Sequence, residues 1–193
     1  MERIEAAARA LRGGELVVYP TETVYGLGAD ALDAAAVEQV FTTKGRDRTE
    51  PISMAVPDAA SAWEYTRPTE RERAFAEAFL PGPVTLVVER TEAVPDVLTA
   101  GRDRVGIRVP DHEVALSLLE RTAPVTATSA NVSGRPSARR VADLDTEVRE
   151  AAAVVLDGGE TPGGGSTVVD VAHDEIHRRG ARADAVETWL AEH

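Results

Sequence analysis

Glu15-Leu16-Val17-Val18-Tyr19-Pro20-Thr21-Glu22-Thr23-Val24-Tyr25-Gly26-Leu27-Gly28-Ala29-Asp30-Ala31 is the stretch on which the fold turns. Its last six residues fit the glycine fingerprint of a dinucleotide-binding unit, with alanine in the third glycine position. In that fingerprint the first glycine follows its strand at once. Here Glu15–Tyr19 reads as a strand, Pro20 stops it, and six residues separate Tyr19 from Gly26. Thr21–Gly28 is polar and of strand length, without strand regularity. A doubly wound dinucleotide fold is therefore not the expectation.

Upstream, Ile4, Ala7, Ala8 and Leu11 fall at helical spacing, and Gly13-Gly14 ends that helix. Downstream, Asp33 is a candidate N-cap for a helix carrying Val37, Val40 and Phe41 on one face. The segment Thr42-Thr43-Lys44-Gly45-Arg46-Asp47-Arg48 reads as a loop. Strands are expected at Ile52–Val56, Val84–Val88, Val105–Val109, Val125–Ala127, Ala153–Leu156, Ser166–Val171 and Glu175–Arg178. Asp58 caps a short helix through Trp63, and Thr69 with Glu72 makes a capping box for a helix to Phe79. Pro81-Gly82-Pro83 forms a rigid corner, and Val94–Arg104 reads as irregular. Asp111 is placed to cap a helix with Val114, Leu118 and Leu119 inward. Further helices are expected near Asp143–Glu150 and at Ala183–Ala191. Strands and helices alternate irregularly, with several connections too short for parallel crossovers. The expectation is one α/β domain over residues 1–193 with a mixed, twisted sheet flanked by helices.

Composition narrows the function. The chain has 193 residues, 43% of them hydrophobic and only 4% aromatic, so alanine and valine must fill the core. The formal net charge of −12 argues against a broad basic nucleic-acid face and suits solubility in concentrated salt, a halophilic character. The absence of cysteine excludes disulfides, thiolate nucleophiles and zinc–thiolate sites. With no apolar signal core at the N-terminus and no run long enough to span a membrane, a cytoplasmic location is expected.

Lys44 is the only lysine beside twenty arginines, and it stands next to Gly45 and Arg46. A compact ammonium and a planar fork do different jobs at an anion, so Lys44 is a candidate phosphate contact, or else an ordinary solvated turn residue. Arg108 sits inside an apolar strand and needs an anionic partner, either a ligand or a structural Asp or Glu. Thr126-Ala127-Thr128-Ser129-Ala130-Asn131-Val132-Ser133-Gly134-Arg135-Pro136-Ser137 gathers small donors at a strand end, as phosphate-binding segments do and ordinary turns also do. Gly163-Gly164-Gly165-Ser166-Thr167 either closes over a ligand or is a loose connection. Arg178-Arg179 either face the same site or add surface charge. His173 and His177 lie four apart, but the strand reading denies them a common helix face, so no metal site is expected.

Tyr19–Ala29, Lys44-Gly45-Arg46, Pro81–Leu86, Arg108-Val109-Pro110, Ser129-Ala130-Asn131 and Ser166–Asp170, taken in order, resemble the YrdC/TsaC family of L-threonylcarbamoyladenylate synthases. The resemblance runs from about Ala6 to Ala181 and is to the short form. It implies a deep cleft in the twisted sheet. It further implies that L-threonine, bicarbonate and ATP, with magnesium accompanying ATP, give threonylcarbamoyl-AMP and pyrophosphate. A partner transferase complex would then modify adenosine 37 of tRNA. By similarity, Thr21, Arg108 and the backbone near Ala127 would hold threonine. Lys44 and Arg46 would act on the phosphates. Arg104, Ser129, Asn131, Ser137 and Arg178 would line the nucleotide side. Glu50, Ala55, Thr128 and Arg179 depart from residues common in the family. The alternatives are a double-stranded RNA-binding module, a sister branch without this activity, and a dinucleotide oxidoreductase.

Overall fold

The computed structural model describes residues 1–122 and 124–193. Helix α1 (Glu2–Arg12) buries Ala7, Ala8, Ala10 and Leu11, with acids in its first turn and arginines in its last, as the helix dipole favours. β1 (Leu16–Tyr19) is buried throughout, and β2 (Gly26–Gly28) returns antiparallel to it. In α2 (Ala34–Lys44) the Asp33 side chain accepts from the N–H groups of Ala35 and Ala36, and Gly45 closes the helix with φ 57°. Lys44 is therefore the last residue of a helix, not part of a loop. The left-handed turn that ends the helix belongs to Gly45.

β3 (Ser53–Ala55) and α3 (Ala59–Ala62) follow, with Asp58 as the cap. α4 (Glu70–Phe79) opens with the expected capping box, in which Thr69 and Glu72 exchange bonds. β4 (Val84–Glu89) leads to a segment that holds a short helix, α5 (Asp96–Thr99), where irregular chain is expected. β5 (Arg104–Arg108) precedes α6 (Glu113–Leu119). The cap of α6 is His112, whose Nδ1 accepts the Val114 N–H at 3.2 Å, and not Asp111. Ala115, Leu118 and Leu119 are its buried positions. Then come β6 (Val125–Ala127), α7 (Thr146–Ala151), β7 (Ala152–Val155), β8 (Thr167–Asp170), β9 (Glu175–Arg178) and α8 (Ala183–Glu192).

The strands form two mixed sheets where one is expected, in the orders β2-β1-β7 and β6-β3-β5-β4-β8-β9. They are stitched together along β2 and β6 and the residues that flank them. Ala130 N donates to Tyr25 O at 2.7 Å, Leu27 N to Thr128 O at 2.9 Å, Thr126 N to Ala29 O at 2.9 Å, and Ala31 N to Pro124 O at 2.8 Å. Gly26 and Gly28 make the seam possible. A Cβ on Gly26 would lie 2.9 Å from Tyr19 Cζ, and one on Gly28 would lie 2.7 Å from Val125 Cγ1. The paired glycines serve close strand approach, not a phosphate turn.

Buried alanines, valines and leucines make two apolar clusters. The larger joins α2 and α4 to the strands, and the smaller packs α1 and α6 around Val17, Val125 and Leu156. No helix among the described residues is long and apolar enough to cross a membrane.

Candidate functional site

Side chains on a strand alternate between faces, and the six-stranded sheet uses one face for core and the other for a cleft. In β5, Val105 and Ile107 are buried in the core, while Arg104, Gly106 and Arg108 line the cleft. Ser53 and Ala55 of β3, Thr85 and Val87 of β4, and Val168 and Asp170 of β8 extend the same face. Gly106 keeps the floor low, since a Cβ there would lie 2.2 Å from Ser53 Oγ. The cleft holds about 770 Å³, room for a nucleotide-sized ligand with a smaller companion.

One wall is the turn after Pro20. Thr21 Oγ1 donates to Val24 O at 2.7 Å and accepts from Thr23 N at 3.2 Å, so the turn fastens itself. It delivers Glu22 and Thr23 to Arg108, whose Nη2 lies 3.0 Å from Glu22 Oε1 and 2.8 Å from Thr23 Oγ1. The anionic partner that Arg108 needs is thus Glu22 on the protein side, and the guanidinium still borders the cleft.

Across the floor, Arg178 Nε donates to Ser166 O at 3.0 Å and its Nη2 to Ser166 Oγ at 2.8 Å. Both partners are neutral, so its charge is left for a ligand. Burial pushes the Arg178 pKa down, and the positive charges of Arg108 and Arg46 push it the same way. Three guanidinium groups that repel one another in a chain of net charge −12 mark a site for anions. Arg46 is folded onto its own loop. Its Nε donates to Glu50 O at 3.3 Å, its Nη2 to Pro51 O at 3.1 Å, and its Nη1 stands 3.5 Å from the Glu50 carboxylate.

Thr21, Arg46, Arg104, Arg108, Ala127, Ser129, Ser137 and Arg178 all line the cleft; Lys44 and Asn131 do not. The Lys44 residue is 1% exposed, and its ammonium donates to the carbonyls of Ser129 and of Asn131, the latter at 2.7 Å. Ser133 N donates back to Lys44 O at 2.8 Å. The Asn131 side chain bonds Val132 O and Arg135 O, each at 2.9 Å. Both residues brace the 129–137 loop from behind. The Lys44 pKa falls to about 8, through burial first and then the nearby Arg46 charge, with Asp145 opposing.

Arg104 lines the cleft, yet its guanidinium is committed to carboxylates. Its Nη2 meets Glu72 Oε1 at 2.7 Å and its Nε lies 2.9 Å from Asp170 Oδ2. Arg179 faces away and pairs with Asp184 and Glu187. Thr128 and Ala55 line the cleft, and Glu50 stands at 59% side-chain exposure beside Arg46. The glycine-rich segment is not a loose connection, because Gly163 N donates to Thr23 O at 2.7 Å and Gly164, Gly165 and Ser166 form part of the wall. His173 sits in a 3₁₀ turn and His177 in β9, so they share no helix face. No group of three His, Cys, Asp or Glu placed to hold a metal occurs among the described residues.

Sequence reading misses Glu22, Ser53, Thr85 and Gly106. The available signal is parity. Arg104, Gly106 and Arg108 alternate with Val105 and Ile107, and polar Thr85 interrupts the apolar run of β4.

A profile of the Sua5/YciO/YrdC family, described as "Telomere recombination", matches residues 9–180. The Pyrococcus abyssi protein named threonylcarbamoyl-AMP synthase is 42% identical over 173 residues, covering 88% of this chain and 51% of its own length. The Bacillus subtilis protein of that name is 38% identical over 176 residues, covering 89% and 51%. This chain thus spans about half the length of these two relatives. The crystal structure of P. abyssi Sua5 complexed with L-threonine superposes with a TM-score of 0.89 at 39% identity, covering 98% of this chain and 57% of that one. The glycine seam, the arginine-lined face of the sheet and these relatives lead to one conclusion: the chain belongs to the Sua5/YciO/YrdC family.

Proposed function

We propose that this protein is an L-threonylcarbamoyladenylate synthase, joining L-threonine, bicarbonate and ATP into threonylcarbamoyl-AMP with release of pyrophosphate. The observation that carries the reading is the convergence of Arg46, Arg108 and Arg178 on one cleft of about 770 Å³ in an acidic chain. The names of the relatives and the threonine complex of P. abyssi Sua5 support it.

Threonine would place its carboxylate on Arg108 and its hydroxyl among Thr21 and the backbone at Ala127. Its amine combines with bicarbonate to give the carbamate and water. A carbamate oxygen then attacks the α-phosphorus of ATP, the bond to the β-phosphate oxygen breaks, and pyrophosphate leaves. Holding a short-lived nucleophile in line is the main task, and developing phosphate charge is the second. Arg46 and Arg178 suit the second task, with Ser129 and Ser137 on the nucleotide side. Lys44 and Asn131 serve by keeping the Ser129 loop in place; Arg104 serves by holding β5 against its neighbours. Magnesium is counted with ATP as substrate.

A cytoplasmic location and hand-off of the adenylate to a tRNA-modifying transferase complex complete the proposal. The test is incubation of the purified protein with ATP, bicarbonate and labelled threonine. A labelled adenylate and threonine-dependent pyrophosphate are expected, both lost in Arg46→Ala and Arg108→Ala. Pyrophosphate release that ignores threonine would overturn the assignment.

A further inference from the structure

Two buried polar atoms of opposite character, Arg108 Nε and Glu22 Oε2, lie in one ion pair and have no hydrogen-bond partner. A guanidinium offers five N–H donors in a rigid plane. Both protein contacts of Arg108 fall on Nη2, to Glu22 Oε1 at 3.0 Å and Thr23 Oγ1 at 2.8 Å. Nε and Nη1 donate to no acceptor among the described residues. One nitrogen is pinned twice, Nε is buried behind it, and Nη1 is the part of the fork left for a ligand, on a residue that borders the cleft. Glu22 does not itself line the cleft, and its side chain is only 14% exposed. It therefore reaches a ligand only through Arg108.

A free arginine has many rotamers to lose when an anion arrives, and a partner that fixes the fork beforehand removes that cost. The turn that supplies the partner is itself held by the Thr21 hydroxyl and tied to Gly163 through Thr23 O. Arg178, by contrast, is held by a serine carbonyl and hydroxyl and keeps its full charge. A guanidinium paired with a buried carboxylate suits a singly charged carboxylate on a zwitterion, whereas one with neutral partners, or one like Arg46 with only an exposed glutamate 3.5 Å away, keeps more charge for phosphate.

The geometry points to Glu22 as the positioning residue that makes Arg108 a receptor for the amino-acid carboxylate. This rests on the synthase reading above. It acts on the threonine half of the reaction and not on the nucleotide half.

The experiment measures L-threonine and ATP binding by calorimetry, with the KM for each, in wild type, Arg108→Ala, Glu22→Ala and Glu22→Gln. Glu22→Ala should weaken threonine about tenfold or more while ATP stays within about twofold. Glu22→Gln keeps an acceptor for Nη2 and should return threonine affinity to within about threefold of wild type. Should Glu22→Ala fail to fold, Glu22→Ser, polar but too short to reach Arg108 Nη2, carries the test and should weaken threonine alone. Wild type that binds ATP but no threonine overturns the synthase reading, and the role of Glu22 with it. Wild type that binds threonine, loses it in Arg108→Ala and keeps it in Glu22→Ala overturns the role of Glu22 only. Equal weakening of both substrates overturns it too, because that is what a merely structural residue would do.

Discussion

Lys44 ends α2 with its ammonium out of water, giving two hydrogen bonds to carbonyls of the 129–131 segment. Burial lowers its pKa from 10.5 to about 8. Between those values the unfolded chain holds a proton that the folded chain has released, so stability should rise with pH. Tyr19 works in the opposite sense. Burial raises it from 10.0 to about 12, so above pH 10 the folded chain keeps the proton longer and stability should fall. The clean window for Lys44 is thus pH 8 to 10. Urea unfolding across it should show wild type gaining stability and Lys44→Met showing none of that gain; parallel curves would refute the burial argument. At this scale the sequence marks Lys44 as special through its solitude among arginines, yet not its job. A one-letter string reports charge, not whether the charge meets solvent, ligand or backbone. Arg108 is the converse. Its place inside an apolar strand demands a counter-charge, and Glu22, in the neighbouring motif, supplies it.

The capping box of α4 does more than begin a helix. Glu72 Oε2 accepts the Thr69 N–H at 2.7 Å, while its other oxygen takes Arg104 of β5 at 2.7 Å, with Glu72 only 1% exposed. Local capping and long-range pairing thus share one carboxylate. Thr69→Ala removes only the cap and should cost about 1 kcal/mol. Glu72→Ala also removes one of the two carboxylates that hold Arg104, leaving Asp170, and should cost about 1.5 to 3 kcal/mol more than the loss of the cap alone. Denaturant titration of both variants checks the gap, and equal costs would show that the ion pair contributes nothing. The capping box, the Asp33 and Asp58 caps and most strands are legible in the sequence, because each is encoded within a few neighbouring residues. The transfer of the α6 cap to His112 is not, since Asp111 carries the stronger propensity and tertiary packing chooses between adjacent residues. Nor is the division into two sheets. It depends on the ring of Tyr19 lying against Gly26 and Gly28, a contact between segments that sequence patterning treats one at a time.

For the molecule as a whole, the excess of 33 acids over 21 bases means that the folded chain repels itself in dilute buffer. Salt screens that repulsion, with the Debye length falling from about 10 Å at 0.1 M to about 3 Å at 1 M. It also screens the many exposed arginine–carboxylate pairs, but such pairs contribute only about 0 to 1 kcal/mol each. Net repulsion should win, so the melting temperature should climb over that range, and a flat or falling curve would count against it. The seam between residues 25–31 and 124–130 has one more implication. It binds segments about a hundred positions apart, and the far wall of the cleft, Ser166 and Arg178, comes from later still. A growing polypeptide cannot close this pocket until the chain has been made as far as Arg178. Folding must wait on distant partners and so be slow. Nascent chains will therefore carry β1 without β7 and β4 without β8, which makes them clients for chaperones during translation.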